Sequence, residues 1–420
     1  MSFKEWQKIR LDEVIESVSI RHKFDKDKII LINTSDVLDG KVLNHEYVEN
    51  RNLKGQFKKS FRKGDILYSE IRPKNKRFAY VDFDSEDYVA STKLMVLRKK
   101  SSNINNTFLF QILKSDSFID ILQNLAETRS GTFPQITFSE LGMQKVKVPP
   151  IEEQKAIAHI LSTLDEKIEL NNQINKTLEN MAQAIFKQWF VDFEFPNEDG
   201  EPYKSSGGEM VESELGMIPK GWEVMDLSEI STNIITGKTP STKVKENYGN
   251  EIPFVKIPDM HGNVYITKTE SYLSKKGVHK NKIIPRNAII VSCIATPGLV
   301  SIASEDCQTN QQINSLLLKD EKMCYFAYFK LIELADYIRT LGSTGSATLN
   351  LNKNEFSKIK IVVPEKRLIE KYYQSVKFSF EMILENMKSN EVLRNLRDTL
   401  LPKLMSGEIR VPLKEEGEVS

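Results

Sequence analysis

The chain has 420 residues, with 59 Lys and Arg against 58 Asp and Glu, and with 40% hydrophobic and 28% charged residues. This length exceeds what one hydrophobic core usually serves, so we expect at least two domains, and the composition excludes a disordered chain. A net charge of +1 neither favours nor excludes a polyanionic partner. No signal-peptide core and no run of about 18 apolar residues occurs, so we expect a cytoplasmic protein that does not enter a membrane.

The first predicted domain, residues 1–149, is built from strand patterns. WQKIRLDEVI (Trp6 to Ile15) has alternating apolar positions followed by a short helical turn. FRKGDILYSEIRP (Phe61 to Pro73) and STKLMVLR (Ser91 to Arg98) are each typical of a strand after a turn, and LGMQKVKVP ends an alternating strand at Pro149. These patterns predict a mixed domain of strands and short helices.

A basic stretch lies within this first domain, interrupted only by Asp65 and Glu70. Phosphates are the natural partners of such a cluster, although any single Lys could equally face solvent without a ligand. The predicted DNA-binding residues of this stretch are Arg51, Lys54, Lys58, Lys59, Arg62, Lys63, Arg72, Lys74, Lys76 and Arg77.

Residues 150–195 are predicted to form a long coiled-coil helix. Apolar positions recur in steps of four and three, which is a heptad seam, and a helix of roughly 40 residues would span about 60 Å. Asn171 and Asn175 fall on the seam, where a buried amide lowers stability but fixes register; alternatively, the seam bends away from its partner there. The predicted seam residues are Leu161, Leu164, Ile168, Asn171, Asn175, Leu178 and Ile185.

Residues 221–364 repeat the patterns of the first domain in the same order. Trp222 lies 216 positions after Trp6, and Pro364 lies 215 positions after Pro149. Ordered matches separated by loops of different length are typical of an internal duplication, so we predict one scaffold for both domains. The matching segments are WEVMDLSEI (Trp222 to Ile230), IPRNAIIVSCIATP (Ile284 to Pro297), QINSLLLK (Gln312 to Lys319) and FSKIKIVVP (Phe356 to Pro364).

A second heptad seam follows in residues 365–408, and residues 409–420 form a tail after it. Between the first helix and the second domain, residues 196–220 are rich in Gly, Pro and Ser and predict an exposed linker. We predict an α+β fold in which two similar mixed α/β domains, related by a pseudo-two-fold repeat, are separated by two long antiparallel coiled-coil helices. Such a molecule suits duplex DNA, whose half-sites repeat about every 34–36 Å. The second seam comprises Val376, Phe380, Ile383, Leu393 and Leu400.

The second domain has its own cations among hydroxyl side chains, and Lys with Ser and Thr suits phosphate positioning whereas Asn and Gln suit base edges. RSGTFPQIT (Arg129 to Thr137) and GSTGSATLN (Gly342 to Asn350) occupy equivalent places, where backbone amides could approach a phosphate, although ordinary turns explain them almost as well. The predicted DNA-binding residues are Lys238, Thr239, Ser241, Thr242, Lys243, Lys245 and Lys256.

Catalytic and metal motifs are missing from the sequence. GKT at Gly237 to Thr239 lacks the leading Gly of a phosphate loop, because position 232 is Thr. The five His residues are scattered. Cys293, Cys307 and Cys324 have no CxxC spacing, so we expect small core residues and no metal site. The sequence therefore predicts a binding protein without catalytic activity of its own.

Three segments resemble the specificity (S) subunit of type I restriction-modification systems: Pro149 to Pro196, Gly200 to Val224, and LRDTLLPKLMSGEI (Leu396 to Ile409). TGKTPSTK (Thr236 to Lys243) resembles the loop that often opens the recognition domains of that family, whereas His22 stands where such a loop could be sought in the first domain. The order of domain, long helix, domain, long helix extends the resemblance over essentially the whole chain.

The resemblance implies a non-catalytic subunit that reads a bipartite, asymmetric target in double-stranded DNA, one half per domain. Its helices would set the spacer and dock two methyltransferase subunits, and restriction/translocase subunits would join for cleavage. S-adenosylmethionine, ATP and Mg²⁺ would bind to those partners. Two other classes stay open: a coiled-coil adaptor that binds proteins, and a self-sufficient methyltransferase or nuclease, which the absence of DPPY, NPPF and Walker motifs disfavours.

Overall fold

The structure is a computed structural model that describes residues 5–51, 55–129, 132–343 and 350–412. The chain divides into two compact units, the first containing residues up to Lys167 and from Leu393 onward, the second containing Ile168–Val392. Both long helices are therefore shared between the units. Within the described residues, no helix is long and apolar enough to cross a membrane.

The first unit begins with strands and short helices and continues into a long helix. Its elements are β1 (Gln7–Arg10), α1 (Leu11–Val14), β2 (Ile15–Val18), β3 (Lys28–Ile32), β4 (Val37–Leu38), β5 (Lys41–Val42), β6 (Tyr47–Glu49), β7 (Phe57–Lys59), β8 (Ile66–Ser69), β9 (Phe78–Tyr80), β10 (Tyr88–Ser91), β11 (Leu94–Lys99), α2 (Asn106–Lys114), α3 (Asp116–Arg129), α4 (Phe138–Gly142), β12 (Lys145–Val148) and α5 (Ile151–Phe190).

Two sheets form the body of the first unit. One has the strand order β2-β11-β8-β9, and the other has the order β6-β3-β10-β7, in which β3 and β10 run parallel. Every residue of β8 is buried, as expected for an apolar strand covered on both faces. Asn105 caps helix α2, because its side chain accepts a hydrogen bond from Phe108 N at 2.9 Å. Phe108 of α2 and Tyr68 of β8 belong to the same buried core.

The second unit repeats this plan after a short hairpin. Its elements are β13 (Met210–Ser213), β14 (Gly216–Pro219), β15 (Glu223–Asp226), β16 (Ser231–Thr236), β17 (Tyr248–Val255), α6 (Ile257–Met260), β18 (Tyr265–Ile266), β19 (Ser271–Leu273), β20 (Ile283–Ile284), β21 (Ile289–Ser292), β22 (Val300–Ala303), β23 (Cys307–Thr309), β24 (Ile313–Leu318), α7 (Cys324–Glu333), α8 (Ala335–Ser343), α9 (Lys353–Ser357), β25 (Lys360–Val363) and α10 (Lys366–Ser406).

Every strand of the two sheets of the first unit has a counterpart in the second unit. The sheet β16-β24-β21-β22-β18 matches β2-β11-β8-β9 with one added edge strand, and β19-β17-β23-β20 matches β6-β3-β10-β7. The parallel pair β17–β23 stands where β3–β10 does. The antiparallel ladders β1–β12 and β15–β25 correspond as well. The predicted α+β fold with an internal repeat is confirmed.

One predicted correspondence is displaced by two residues. The sequence match places STKLMVLR over QINSLLLK, which pairs Leu94 with Ser315. In the sheets, Leu94 lies opposite Ser69, and Ile313 lies opposite Ser292. Because the two Ser residues end equivalent strands, Leu94 corresponds to Ile313. The connection before β24, residues 310–312, is one residue longer than the connection before β11, residues 92–93.

The segment predicted as an exposed linker has a structure of its own. Strands β13 and β14 form a hairpin, in which Ile218 is buried. The ring of Phe195 stacks on Tyr203 at 4.5 Å and on Trp222 at 5.3 Å between ring centroids. Most side chains of the segment face solvent, yet its aromatic stack anchors it to the core of the second unit.

In the second unit, α5 and α10 run antiparallel and are joined by an amide ladder. Asn171 Nδ2 donates to Asn390 Oδ1 at 2.8 Å, and Asn390 Nδ2 donates to Asn172 Oδ1 at 2.9 Å. Asn386 Nδ2 donates to Asn175 Oδ1 at 2.9 Å. Asn386 and Asn390 lie 215 positions after Asn171 and Asn175, so the ladder itself follows the repeat. The seam does not bend away at these amides.

In the first unit, the other ends of the same helices also run antiparallel. Asp165 of α5 accepts from Arg397 Nη1 of α10 at 2.8 Å and from Lys114 Nζ of α2 at 2.6 Å. Farther toward the start of α5, Glu153 accepts from Arg410 Nε at 2.6 Å. Of the predicted seam residues, those buried are Leu161, Ile168, Asn171, Val376, Phe380 and Ile383, and those half-buried are Leu164, Asn175, Leu178, Ile185, Leu393 and Leu400.

Candidate nucleic-acid interface

The connection between β16 and β17 in the second unit begins with a glycine that allows close backbone packing. Gly237 N donates to Ile313 O at 3.1 Å, and Lys238 N donates to Thr309 O at 2.9 Å. A Cβ atom at Gly237 would lie 2.1 Å from Asn310 O, so a larger residue would displace the backbone. This glycine therefore holds the connection against the one between β23 and β24.

The side chains of this connection point mainly to solvent. Ser241, Thr242 and Lys243 are exposed, as are Lys238 and Lys245. Among the described residues, the structure shows no ion pair for these three lysines. Flexible cations without a carboxylate partner are available for phosphate oxygens.

Two predicted residues of the second domain have partners within the protein. Lys256 is half-buried, and its Nζ donates to Ser271 Oγ at 2.8 Å and lies 3.8 Å from Glu270. Thr239 Oγ1 donates to Gln311 Oε1 at 2.5 Å. Lys256 therefore stabilises its own domain, whereas Thr239 orients an exposed amide.

Sequence reasoning missed the amides that face this connection. They occur in the run QTNQQIN, and several are buried and hydrogen-bonded: Gln308 Nε2 donates to Lys238 O at 3.1 Å, and Thr236 Oγ1 donates to Asn314 Oδ1 at 2.6 Å. The signal was visible as a cluster of amides just before an apolar strand. The cluster comprises Gln308, Asn310, Gln311, Gln312 and Asn314.

In the first unit, part of the predicted basic stretch is committed to internal contacts. Lys59 Nζ donates to Thr92 O at 3.0 Å and to Leu94 O at 2.8 Å, and burial lowers the pKa of its ammonium group. Arg77 Nη1 donates to Ser35 O at 2.9 Å. Lys76 and Lys74 lie 2.8 Å and 3.4 Å from the carboxylates of Asp116 and Asp120.

The other described residues of the stretch are exposed. Among the described residues, no ion pair is seen for Arg51, Lys58, Arg62 or Lys63. The side chain of Arg72 donates from Nη2 to Thr132 O at 3.5 Å, and its backbone has a φ of +43°. Lys54 lies outside the described residues, as do parts of both predicted small-residue segments. Fewer residues of the predicted set are therefore exposed and without an internal partner than the sequence suggested, because neighbouring lysines point in different directions.

The connection from β2 to β3 corresponds in topology to the one from β16 to β17, and sequence reasoning assigned it no ligand role. Arg21 and Lys23 are exposed there, on either side of the buried His22. Phe24 N donates to His22 Nδ1 at 3.0 Å, so the proton lies on Nε2, which donates to Glu86 O at 3.1 Å. The His22 side chain thus fixes this connection, whereas the corresponding connection of the second unit begins at Gly237.

Known proteins share this duplicated architecture. A family described as "Type I restriction modification DNA specificity domain" matches residues 3–180 and 219–390, and each range contains one domain with most of its following helix. The chain belongs to this family. It is a type I restriction enzyme specificity subunit with two DNA specificity domains.

Two relatives of this specificity subunit are of similar length. The chain is 41% identical to the HindI specificity subunit of Haemophilus influenzae, over 96% of this chain and 100% of that protein. It is 28% identical to the MjaIX specificity subunit of Methanocaldococcus jannaschii, over 84% of this chain and 79% of that protein. The S subunit of M. genitalium has the same fold, with a TM-score of 0.59, 18% identity and 96% coverage of both chains.

Neither the cysteines nor the GKT sequence of this specificity subunit has the environment of a catalytic group. Burial raises the pKa of the thiols of Cys293, Cys307 and Cys324 to about 12, so they stay protonated at neutral pH. GKT lies in a connection between two strands, whereas a phosphate loop leads into a helix.

Proposed function

We propose that each DNA specificity domain reads one half of a bipartite, asymmetric target in duplex DNA. The observation that carries this proposal is the repeat: two domains with matching strand orders each present a corresponding connection with exposed cations, β2–β3 in one and β16–β17 in the other. The sequences of these connections differ completely. The two domains therefore have one scaffold and different reading surfaces, which suits two different half-sites.

We further propose that α5 and α10 set the distance between the half-sites and dock two methyltransferase subunits. Met181 of α5 is 57% exposed and Leu396 of α10 is 45% exposed, and they lie 215 positions apart. Exposed apolar side chains at repeat-equivalent positions suit two copies of one partner. The domain boundaries proposed with this function are 1–149, 150–195, 196–220, 221–364, 365–408 and 409–420.

The chemistry is proposed to belong to the partners. Methyltransferase subunits would bind S-adenosylmethionine, and restriction/translocase subunits would bind ATP and Mg²⁺, because this chain carries no DPPY, NPPF or Walker sequence. The specificity subunit would contribute no catalytic group and no cofactor site. Its contribution would be the position of the DNA relative to the partners.

The test is co-expression of the full chain with the methyltransferase subunit encoded beside it, followed by mapping of methylated adenines by long-read sequencing. We expect a split motif of two short defined parts around a fixed unspecified gap. A complex without methylation would contradict productive docking of that partner. A chain that forms no complex and directs no methylation would overturn the proposal in favour of a protein-binding adaptor.

A further inference from the structure

The connection between β23 and β24 is a rigid, three-residue corner between two sheets. Asn310 Nδ2 donates to Gln312 Oε1 at 2.9 Å, and Gln312 N donates to Asn310 Oδ1 at 3.0 Å. Both side chains are therefore used inside the corner. Gln311, between them, is exposed at the tip. The corner thus presents one amide side chain to solvent on a fixed backbone.

The amide of Gln311 is also oriented. Thr239 Oγ1 donates to its Oε1 at 2.5 Å, which identifies the oxygen end of the amide. An amide oxygen has two lone pairs, so Oε1 can still accept a second hydrogen bond. Its Nε2 group has two donors, for which the structure shows no partner among the described residues. Gln311 therefore offers one donor and one acceptor side by side.

We infer that Gln311 reads an adenine in the half-site of the second domain, through its major-groove edge. This inference rests on the proposed function. Adenine presents the N7 acceptor beside the N6 donor, which is the complement of a side-chain amide. Nε2 of Gln311 donates to N7, and Oε1 accepts from N6 while Thr239 holds its other lone pair.

The other bases fit this oriented amide less well. Guanine presents two acceptors, N7 and O6, so Oε1 would face an acceptor without a hydrogen bond. Cytosine offers only its N4 donor, and thymine offers O4 beside a methyl group. Each alternative leaves one end of the amide unpaired in a desolvated groove, which is the physical source of discrimination.

The surroundings of Gln311 suit its approach to DNA. Lys238 and Lys243 on the neighbouring connection are exposed cations, so they can bind phosphates while the corner enters the groove. Gly237 brings that connection into contact with the corner, since its backbone packs on Asn310 O and Thr309 O. Phosphate contacts and one base contact therefore lie on adjoining segments.

The test uses the full chain co-expressed with its methyltransferase subunit and compares methylated motifs by long-read sequencing. Gln311→Ala should relax one position of the second half of the motif, with the preference for adenine falling about five-fold to about a hundred-fold. Gln311→Glu, which is isosteric, removes the donor and should shift that position toward cytosine. Lys243→Ala is the matched control and should weaken methylation evenly across sequences.

Thr239 is tested as a positioning residue. Thr239→Val keeps the shape and removes the hydroxyl donor, so it should relax the same position partially, and Thr239→Ser should restore it. An unchanged motif in Gln311→Ala, relaxation in the first half of the motif, or an even loss in both Gln311 variants would overturn the inference. Failure of the proposed function is distinguishable, because the unsubstituted chain would then produce no split motif.

Discussion

The amide ladder between α5 and α10 can be tested by single and double substitutions. Asn171 and Asn390 are 1% and 2% exposed, so water cannot replace a lost partner. Asn390→Leu removes both hydrogen bonds of Asn390 and leaves Asn171 Nδ2 buried without an acceptor. An unpaired buried polar group costs about 1–3 kcal/mol. For a unit of this size that corresponds to a fall in Tm of roughly 2–12 °C.

The double variant Asn171→Leu, Asn390→Leu separates the amide pair from general packing. Replacing both partners with apolar residues removes the unpaired group, so we expect it to be at least as stable as either single variant. Chemical denaturation of the four chains, followed by near-UV circular dichroism, gives the coupling free energy. Additive losses in the double variant would refute the pairing, because independent sites add.

Other expectations concern the first unit. Replacing the exposed Lys58, Arg62 and Lys63 with Ala should weaken DNA binding of the assembled complex for every sequence. The slope of log K against log salt concentration should fall by about 0.9 for each lost phosphate contact. An unchanged slope in a salt titration would show that these side chains face solvent and do not bind phosphate. Lys59→Met should instead lower Tm with little change in salt slope, because Lys59 donates to two backbone carbonyls, and the reverse pattern would contradict this placement. Burial alone would raise the pKa of the Asp165 carboxyl group, but Lys114 and Arg397 outweigh burial and hold this pKa below its ordinary value. The ion pairs of Asp165 therefore stabilise the fold above about pH 4, and this stabilisation is lost as pH falls through the pKa of the folded state. The Tm difference between the natural chain and Asp165→Asn should therefore shrink between pH 7 and pH 3, and a constant difference would contradict the ion pairs.

The helices and the repeat could be predicted from the sequence because their signals are periodic and local. Heptad steps place Leu161 and Ile383 on a buried face whatever the rest of the chain does. The amides at Asn171 and Asn175 were visible for the same reason. Their partners Asn386 and Asn390 could have been found by applying the offset of 215 to those two positions.

The candidate interface was less predictable, because the direction of a side chain depends on tertiary structure. Lys58 and Lys59 are neighbours in sequence, yet alternation along β7 exposes one and turns the other toward two carbonyl groups. Gln311 could not be singled out within QTNQQIN, since its neighbours are used inside a corner that forms only when β23 and β24 enter different sheets. Arg21 was missed because its connection lacks the TGKTPSTK pattern, although His22 beside it marked the place, and the matching strand orders relate the two connections.

The central claim, that two domains read two half-sites at a distance set by the helices, is tested most directly by shortening the helices. Removing one heptad of α5 between Leu164 and Leu178, together with the matching heptad of α10, shortens each helix by about 10 Å, which is about 3 base pairs of B-DNA. Methylation mapping of the co-expressed complex should then show the same two half-sites around a gap narrower by about this amount. An unchanged gap in an active complex would contradict the claim.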